Sequence, residues 1–257
     1  LIMAELWNNE KYPFLYDTHV HTSESSACAK NSGYEMADAY KAAGYAGIII
    51  TDHFYYGNTA ADRSLPWREW VEQFCTGYEH ARAEGDRIGL QVFFGWESGY
   101  RGTEFLIYGP DKEWLLSHPG IRDASVEEQQ KLVHDGGGMV IHAHPYREED
   151  YIDEIRLFPQ YVDGVEAVNA CHSNPFSKAH NDPDYDKKAQ LYAAEHDFPA
   201  TAGSDMHNTE LYGGGMAFAQ KLTSVRDYIN AVCSRRDYIM TDGFNLYDSG
   251  FRVTGRV

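Results

Sequence analysis

The chain has 257 residues, enough for one large hydrophobic core, and its 22 basic and 39 acidic residues give a formal net charge of −17 at pH 7. An acidic surface of this kind repels nucleic acid backbones and anionic membranes, so the composition argues against DNA, RNA or membrane binding. A small anionic substrate stays compatible with this charge if metal ions reverse its sign locally.

The sequence predicts one cytoplasmic domain over residues 1–257. No apolar run approaches the roughly 20 residues that a membrane helix needs, and residues 1–10 lack the basic and apolar regions of a secretion signal. The four cysteines are widely spaced without a Cys-x-x-Cys pair, which argues against a disulfide framework and a thiolate zinc site. We find no Pro/Gly/Ser-rich linker and no repeat of fixed period.

Predicted strands and helices alternate through the first half of the chain. An opening strand at the apolar run Tyr12 to Tyr16 is followed by a helix (34–44), a β-branched strand (46–53), a loop (54–66), a second helix (67–84) and two strands (90–97 and 103–108). A capping box of Ser125 and Glu128 then begins a helix over 125–135, which the glycines at 136–138 end.

The same alternation continues to the C-terminus. Strands are predicted at 139–145, 164–169, 199–207 and 238–242, with helices near 184–196 and over 224–235. The glycines at 213–215 lack the Lys-Ser/Thr of a P-loop, so we predict a turn there. Alternating strands and helices indicate parallel βα units, and we predict a distorted α/β barrel with its chemistry at the carboxyl ends of the strands.

Metal-ligand residue types stand at these strand ends. His19 and His21 are two residues apart, so their imidazoles point to the same side of a strand. The other strand ends carry Asp52, His53, Glu97, His142, His144, Asp205 and His207. Imidazole and carboxylate without thiolate suit Zn, Mn or Fe, and a carboxylate can bridge two ions. We therefore predict a cluster of two or three divalent ions, which can hold a hydroxide and clamp the oxygens of a phosphoryl group.

Six short motifs in this order resemble the PHP (polymerase and histidinol phosphatase) family. They are Asp-Thr-His-Val-His-Thr, Thr-Asp-His, Gly-Trp-Glu, Ala-His-Pro, Gly-Val-Glu-Ala-Val-Asn and Gly-Ser-Asp-Met-His. The resemblance covers residues 14–207, with 208–257 expected to complete the barrel. It implies a distorted (β/α)7 barrel of the TIM-like kind, a two- or three-metal centre and, commonly, phosphoesterase activity.

The resemblance also implies a ligand set. His19 and His21 would bind the first ion with Asp205, and Glu97 would bridge this ion to a second one held by His144. His53 and His207 would serve a third ion.

The chain departs from the family pattern at two places. After the first motif, where many members supply another ligand, it offers Glu24 or Cys28. In the short strand after the bridging glutamate, where many members carry a histidine, residues 103–108 contain none. Glu104 or His142 could substitute there, or the second ion is held more weakly.

Several residues are candidates for roles beside the ions. Arg147 and Arg101 could take the charge of a phosphate, with ordinary salt bridges as the alternative. His207, or a water that it orients, would protonate the leaving oxygen. Asp52 would either act in the site or fix the imidazole of His53 or His207.

Two further histidines have two interpretations each. His142 either belongs to the site, directly or by orienting a ligand, or faces outward from its strand. His172 lies just past a strand end and has either a site role or a loop role.

The leading hypothesis is a metal-dependent phosphoesterase that hydrolyses a small phosphorylated molecule through a metal-bridging hydroxide. One alternative is an amidohydrolase-type hydrolase of C–N bonds, but such enzymes often bridge their ions with a CO2-modified lysine, where this chain has Glu97. The other is a non-catalytic metal-binding module, which the near-complete ligand set argues against.

Overall fold

One curved sheet of eleven strands runs through the computed structural model, which describes residues 7–257. The strands are β1 (Phe14–Val20), β2 (Gly47–Ile50), β3 (Gln91–Tyr100), β4 (Thr103–Tyr108), β5 (Met139–Ala143), β6 (Gly164–Asn169), β7 (Ala200–Gly203), β8 (Gly214–Phe218), β9 (Tyr238–Asp242), β10 (Asn245–Tyr247) and β11 (Val253–Arg256). Their order across the sheet is β11-β10-β9-β8-β1-β2-β3-β4-β5-β6-β7.

Eight α-helices lie between these strands in the described residues. They are α1 (Gly33–Ala42), α2 (Trp67–Phe74), α3 (Thr76–Ile88), α4 (Lys112–Ser117), α5 (Val126–Asp135), α6 (Ala170–Ser173), α7 (Pro183–Glu195) and α8 (Val225–Cys233). The predicted capping box is confirmed, because Ser125 and Glu128 each bond the backbone N–H of the other at the start of α5. None of the helices within residues 7–257 is long and apolar enough to cross a membrane.

The predicted parallel arrangement is correct for six strands and wrong for β4. Strands β1 to β3 and β5 to β7 run parallel to one another, while β4 is antiparallel to both of its neighbours. The connection from β3 to β4 is only Arg101 and Gly102, both with positive φ, so it forms a tight hairpin and leaves no room for a crossover helix. The sheet therefore departs from seven identical βα repeats.

Strand β1, in the middle of the sheet, also contacts the segment that follows the edge strand β7. Its first residues, Phe14 to Tyr16, pair with β8, whereas Val20 at its end forms a parallel bridge with Met206. The backbone N–H of His21 donates to the Met206 carbonyl at 2.9 Å, and the Met206 N–H donates to the His19 carbonyl at 3.3 Å. The segment after β7 is thus held beside the end of β1, which brings the first and last sequence motifs together.

Strands buried on both faces explain the continuous apolar runs of the sequence. In β2, Ile49 packs in one core cluster with Tyr16 and Leu106, while Ile48 and Ile50 pack in another with residues of α1 and α3. Both faces of the strand are covered, as the β-branched run predicted.

Two predicted segments differ from the structure. The helix expected over 67–84 is divided at Cys75 into α2 and α3, and α3 continues to Ile88, where Gly89 ends it with a φ of 79°. The turn expected at 213–215 is wrong, because Gly214 and Gly215 begin β8. A Cβ on Gly215 would lie 2.1 Å from the Tyr16 carbonyl oxygen, so glycine allows β8 to approach β1 closely.

Helices α1 and α3 touch at a pair of glycines, and this contact generates a stability prediction. A Cβ on Gly33 would lie 2.2 Å from the Gly77 carbonyl oxygen and 2.8 Å from the Ala81 nitrogen. Backbone atoms cannot move aside as a side chain can, so we expect Gly33→Ala to lower the free energy of unfolding by about 1–3 kcal/mol in urea denaturation.

Gly120→Ala is the matched control, because a Cβ on Gly120 would meet nothing within 4 Å. We expect its effect to stay within about 0.5 kcal/mol. Equal unfolding free energies for the two variants would contradict the proposed close contact.

Candidate metal centre

Four side chains, from the end of β1, from within β3 and from the segment after β7, meet around one point. The Nε2 atom of His19 lies 3.3 Å from Glu97 Oε1 and 3.4 Å from Asp205 Oδ1. The Nε2 atom of His21 lies 3.3 Å from Glu97 Oε2 and 3.2 Å from the same Asp205 oxygen. All four side chains are buried, and their ligand atoms lie within 4.8 Å of one another.

Several of these atoms have no hydrogen-bond partner. Nε2 of His19, Nε2 of His21, Nδ1 of His53 and Oε2 of Glu97 are all buried and unpaired. A buried polar atom without a partner costs about 1–3 kcal/mol, so four such atoms around one place would be expensive without a cation. Two imidazoles and two carboxylates are a donor set that fits a divalent ion.

A second group lies on the other side of Glu97. The Nε2 atom of His144 is 3.1 Å from Glu97 Oε1, and Nδ1 of His53 is 3.2 Å from Glu97 Oε2. Glu104 faces both imidazoles, at 3.4 Å from His144 and 3.7 Å from His53. The structure therefore brings Glu104, from the short strand after Glu97, next to the imidazoles of His53 and His144.

A third group consists of imidazoles alone. His21, His53 and His207 offer nitrogen atoms within 4.8 Å of one another. Neither residue considered for the missing ligand joins them in this group. Glu24 accepts from the Gly33 N–H at the start of α1 and lies 2.8 Å from His80, while Cys28 lines the neighbouring cavity.

Polar side chains behind the ligands determine which nitrogen faces the centre. Nδ1 of His19 lies 2.7 Å from Glu166, and Nδ1 of His21 lies 3.0 Å from the Ser26 hydroxyl. Each contact occupies the far nitrogen of the ring and leaves Nε2 available to a metal ion. Sequence reasoning gave Glu166 and Ser26 no role, although a carboxylate inside the apolar run of β6 was a signal for Glu166.

Asp52 lies behind His21 and contacts neither of the imidazoles suggested for it. Its carboxylate accepts from the Thr22 N–H and hydroxyl, both at 2.6 Å, and from the Ser26 hydroxyl at 2.7 Å. Burial raises the pKa of Asp52 to about 6. The Ser26 hydroxyl also contacts His21, so Asp52 is connected to His21. The alternative in which Asp52 fixes the imidazole of His53 or His207 is therefore wrong.

His142 faces away from the centre, as one of its two interpretations predicted. Its buried ring packs against Phe105 and Tyr192, with ring centroids 5.2 Å and 6.4 Å away. Tyr192 belongs to α7, which packs on β6. Although His142 and His144 are two residues apart, β5 ends at Ala143 and His144 has a positive φ of 28°, so the two rings need not share a face as they would within a regular strand. Of the two residues considered as a substitute for the missing histidine, only Glu104 faces His53 and His144.

Arg147 donates to the carboxylate of Asp205, one of the candidate metal ligands. Its Nη2 atom donates to Asp205 Oδ2 at 2.6 Å, and its Nε atom donates to His172 at 2.9 Å. All three side chains are buried. His172 is therefore buried beside the cluster and reaches it through its hydrogen bond with Arg147.

A cavity of about 720 Å³ opens beside the cluster. Its lining includes His53, Glu104, Arg147, Asp205 and His207 from the site, together with Lys30, Arg101, Tyr56, Tyr151 and Tyr212. Arg101 is exposed on the β3–β4 hairpin, where its guanidinium lies over the Tyr100 ring. Two exposed basic side chains in so acidic a chain make this cavity suitable for an anion.

Burial and neighbouring charges both shift the pKa values of side chains in the cluster. Burial alone lowers the pKa of His21, but the close carboxylates of Asp205 and Glu97 raise it to about 9. Burial and then the charge of Glu97 raise the pKa of Glu104 well above its usual range. The centre therefore carries excess negative charge, which a bound divalent cation would neutralise.

Comparison with known families agrees with the geometry. The profile of the PHP domain family matches residues 17–199 of this chain. The chain belongs to the PHP domain family. This confirms the resemblance found in the six motifs. A comparison with curated proteins gave no match.

Solved structures show the same fold at low sequence identity. A two-domain protein from Bacteroides vulgatus, containing a predicted PHP-like metal-dependent phosphoesterase, superposes with a TM-score of 0.63 at 14% identity, over 92% of this chain and 67% of that one. A proposed metal-dependent phosphoesterase from Bifidobacterium adolescentis gives 0.52 at 17%, over 84% and 95%. PsfC from Pseudomonas syringae gives 0.55 at 18%, over 84% and 87%.

The contact between Glu166 and His19 generates a prediction. We expect Glu166→Gln to weaken Mn²⁺ binding by about 10- to 100-fold, because a neutral amide no longer stabilises the ring orientation and basicity of His19. Competition with a fluorescent chelator measures the affinity. Glu195→Gln, at an exposed position in α7, is the control and should bind as wild type does. Unchanged affinity in Glu166→Gln would show that His19 does not need this partner.

Proposed function

We propose that this PHP domain is a metal-dependent phosphoesterase that hydrolyses a small phosphate ester in the cavity beside the cluster. The observation that carries the proposal is the position of Glu97. Each of its oxygens lies near one imidazole of the first group and one of the second, Oε1 near His19 and His144 and Oε2 near His21 and His53. A carboxylate between two pairs of imidazoles is suited to bridging two ions.

This geometry supports the following proposed ligands for the ions. His19, His21 and Asp205 would hold the first ion, and His144 with Glu104 would hold the second, while His53 lies between the second and third groups. When bound, the ions would supply a nucleophile at neutral pH and stabilise the charge that develops on the phosphoryl oxygens. The two basic residues of the cavity, Lys30 and Arg101, support an anionic substrate.

His207 is proposed to manage the proton of the leaving oxygen. Its Nδ1 atom lies 2.8 Å from the Asp205 carbonyl oxygen, which leaves Nε2 as the exchanging nitrogen. Burial and the charge of His21 lower the pKa of His207 to about 4, so its ring is neutral at pH 7. A neutral imidazole favours the version in which His207 orients a water that protonates the leaving group.

Arg147 keeps its proposed contact with phosphate in a modified form. One amino group of the guanidinium is engaged by Asp205 and Nε by His172, while the side chain still lines the cavity. We propose that the second amino group donates to a phosphoryl oxygen of the bound ester, so that Arg147 connects substrate and metal ligand.

Removal of first-ion ligands tests the function directly. We expect His19→Ala and Asp205→Ala each to lose bound metal and to reduce hydrolysis of phosphate mono- and diesters by roughly 10²- to 10⁴-fold, since metal stabilisation contributes several kcal/mol. Elemental analysis and product release measure the two effects. His134→Ala, at an exposed ring paired with Asp163, should retain both. Full activity in a metal-free variant would refute the proposal.

Glu104 generates a separate prediction about the number of ions. Replacing it with glutamine removes one charge from the second group while leaving the first group intact. We expect Glu104→Gln to bind one Mn²⁺ tightly and to lose most of the second, as titration calorimetry with elemental analysis would show. Glu113→Gln, at an exposed position in α4, should keep the wild-type stoichiometry. Unchanged stoichiometry in Glu104→Gln would exclude Glu104 as a ligand.

A further inference from the structure

A line of buried hydrogen bonds leads away from the metal centre at Asp205. The Arg147 guanidinium donates to Asp205 Oδ2 at 2.6 Å and, through Nε, to Nε2 of His172 at 2.9 Å. Nδ1 of His172 lies 2.8 Å from Asp186 Oδ1. Each of these four side chains is 3% exposed or less.

The directions of these hydrogen bonds determine the protonation of His172. Arg147 can only donate, so Nε2 of His172 must be the unprotonated acceptor. The ring proton is then on Nδ1 and is donated to Asp186. Burial, together with the charge of Arg147, lowers the pKa of His172 well below its usual value, in agreement with a neutral ring.

The line of contacts returns to the same centre. Asp186 Oδ2 accepts from the backbone N–H of Asn169 at 2.9 Å, and the Asn169 side chain donates to Glu166 at 2.8 Å. Glu166 in turn lies 2.7 Å from Nδ1 of His19. The two ends of the network, His19 and Asp205, face each other at 3.4 Å across the first ion position.

We propose that His172 and Asp186 are positioning residues of the metal centre, which hold Arg147 on one oxygen of Asp205 so that the other oxygen faces the first ion. The imidazole has a specific advantage in this place. A carboxylate in direct contact with Arg147 would compete with Asp205 for the guanidinium charge, whereas neutral His172 accepts a hydrogen bond without competing for that charge. The inference rests on the metal centre of the proposed function, but not on hydrolysis itself.

Paired substitutions at one position test this role. His172→Phe removes both hydrogen bonds, while His172→Gln keeps an acceptor for Arg147 and a donor for Asp186. We expect Mn²⁺ binding, measured by chelator competition, to weaken about 10- to 100-fold in His172→Phe and to stay within about threefold of wild type in His172→Gln. His142→Phe is the matched control, because His142 is also buried but has an unpaired Nδ1 and faces away from the centre.

A spectroscopic measurement tests the same network independently. Long-range ¹H–¹⁵N correlation spectra at pH 7 should show His172 as the neutral Nδ1–H tautomer, with its signals assigned by their absence in His172→Gln. In Asp186→Asn the amide no longer stabilises the proton on Nδ1, so we expect the Nε2–H tautomer, loss of the Arg147 contact and weaker Mn²⁺ binding. If His172→Phe does not fold, Asp186→Asn and the wild-type spectrum still test the proposal.

The outcomes separate this inference from the proposed function. A protein that binds Mn²⁺ as described but hydrolyses no phosphate ester would overturn the phosphoesterase proposal and leave the positioning role supported. Wild-type Mn²⁺ affinity in folded His172→Phe or in Asp186→Asn would overturn the positioning role, as would a wild-type His172 that is protonated or carries its proton on Nε2. Absence of Mn²⁺ binding in the wild type would overturn both.

Discussion

The burial of several carboxylates at one point is the constraint on which the rest of this structure depends. Glu97 and Asp205 are buried and Glu104 is mostly so, and Arg147 supplies an ion pair to Asp205. Burial of an uncompensated charge costs several kcal/mol, so the remaining negative charge needs a cation or protons. The raised pKa of His21 corresponds to compensation by a proton. A divalent ion bound at this place would displace such protons.

The fold holds several of the candidate ligands by backbone pairing. Strand β1 pairs with β2 and β8, and at its end with the Met206 segment, so the backbones of His19 and His21 are held on both sides. A parallel bridge from His53 to Glu97 fixes the next two ligands relative to each other. This backbone pairing restricts the chain around the cluster, which would reduce the conformational entropy lost on metal binding.

Local sequence patterns predicted much of this centre, because the carboxyl ends of parallel strands lie at the same edge of a sheet, whatever the order of the strands. His19, His21, Glu97, His144 and Asp205 were found in this way. The antiparallel direction of β4 was not predicted. It depends on a two-residue hairpin in which Arg101 has a positive φ, and an arginine in the sequence does not indicate such a conformation. The contacts of Arg147, His172 and Asp186 join β5, α6 and α7 across long sequence distances, and no local spacing encodes such pairings.

The three groups of candidate ligands differ in the number of carboxylates that could compensate the charge of a cation. The first group contains two carboxylates and the second combines Glu97 with Glu104, whereas the group of His21, His53 and His207 contains only imidazoles. An ion in the third group would therefore add positive charge that no carboxylate of its own group compensates, and it would share His21 and His53 with the other ions. A phosphate dianion in the adjoining cavity would supply the missing negative charge. Occupancy of the third position is thus expected to increase with bound phosphate, because each of the two lowers the electrostatic cost of the other.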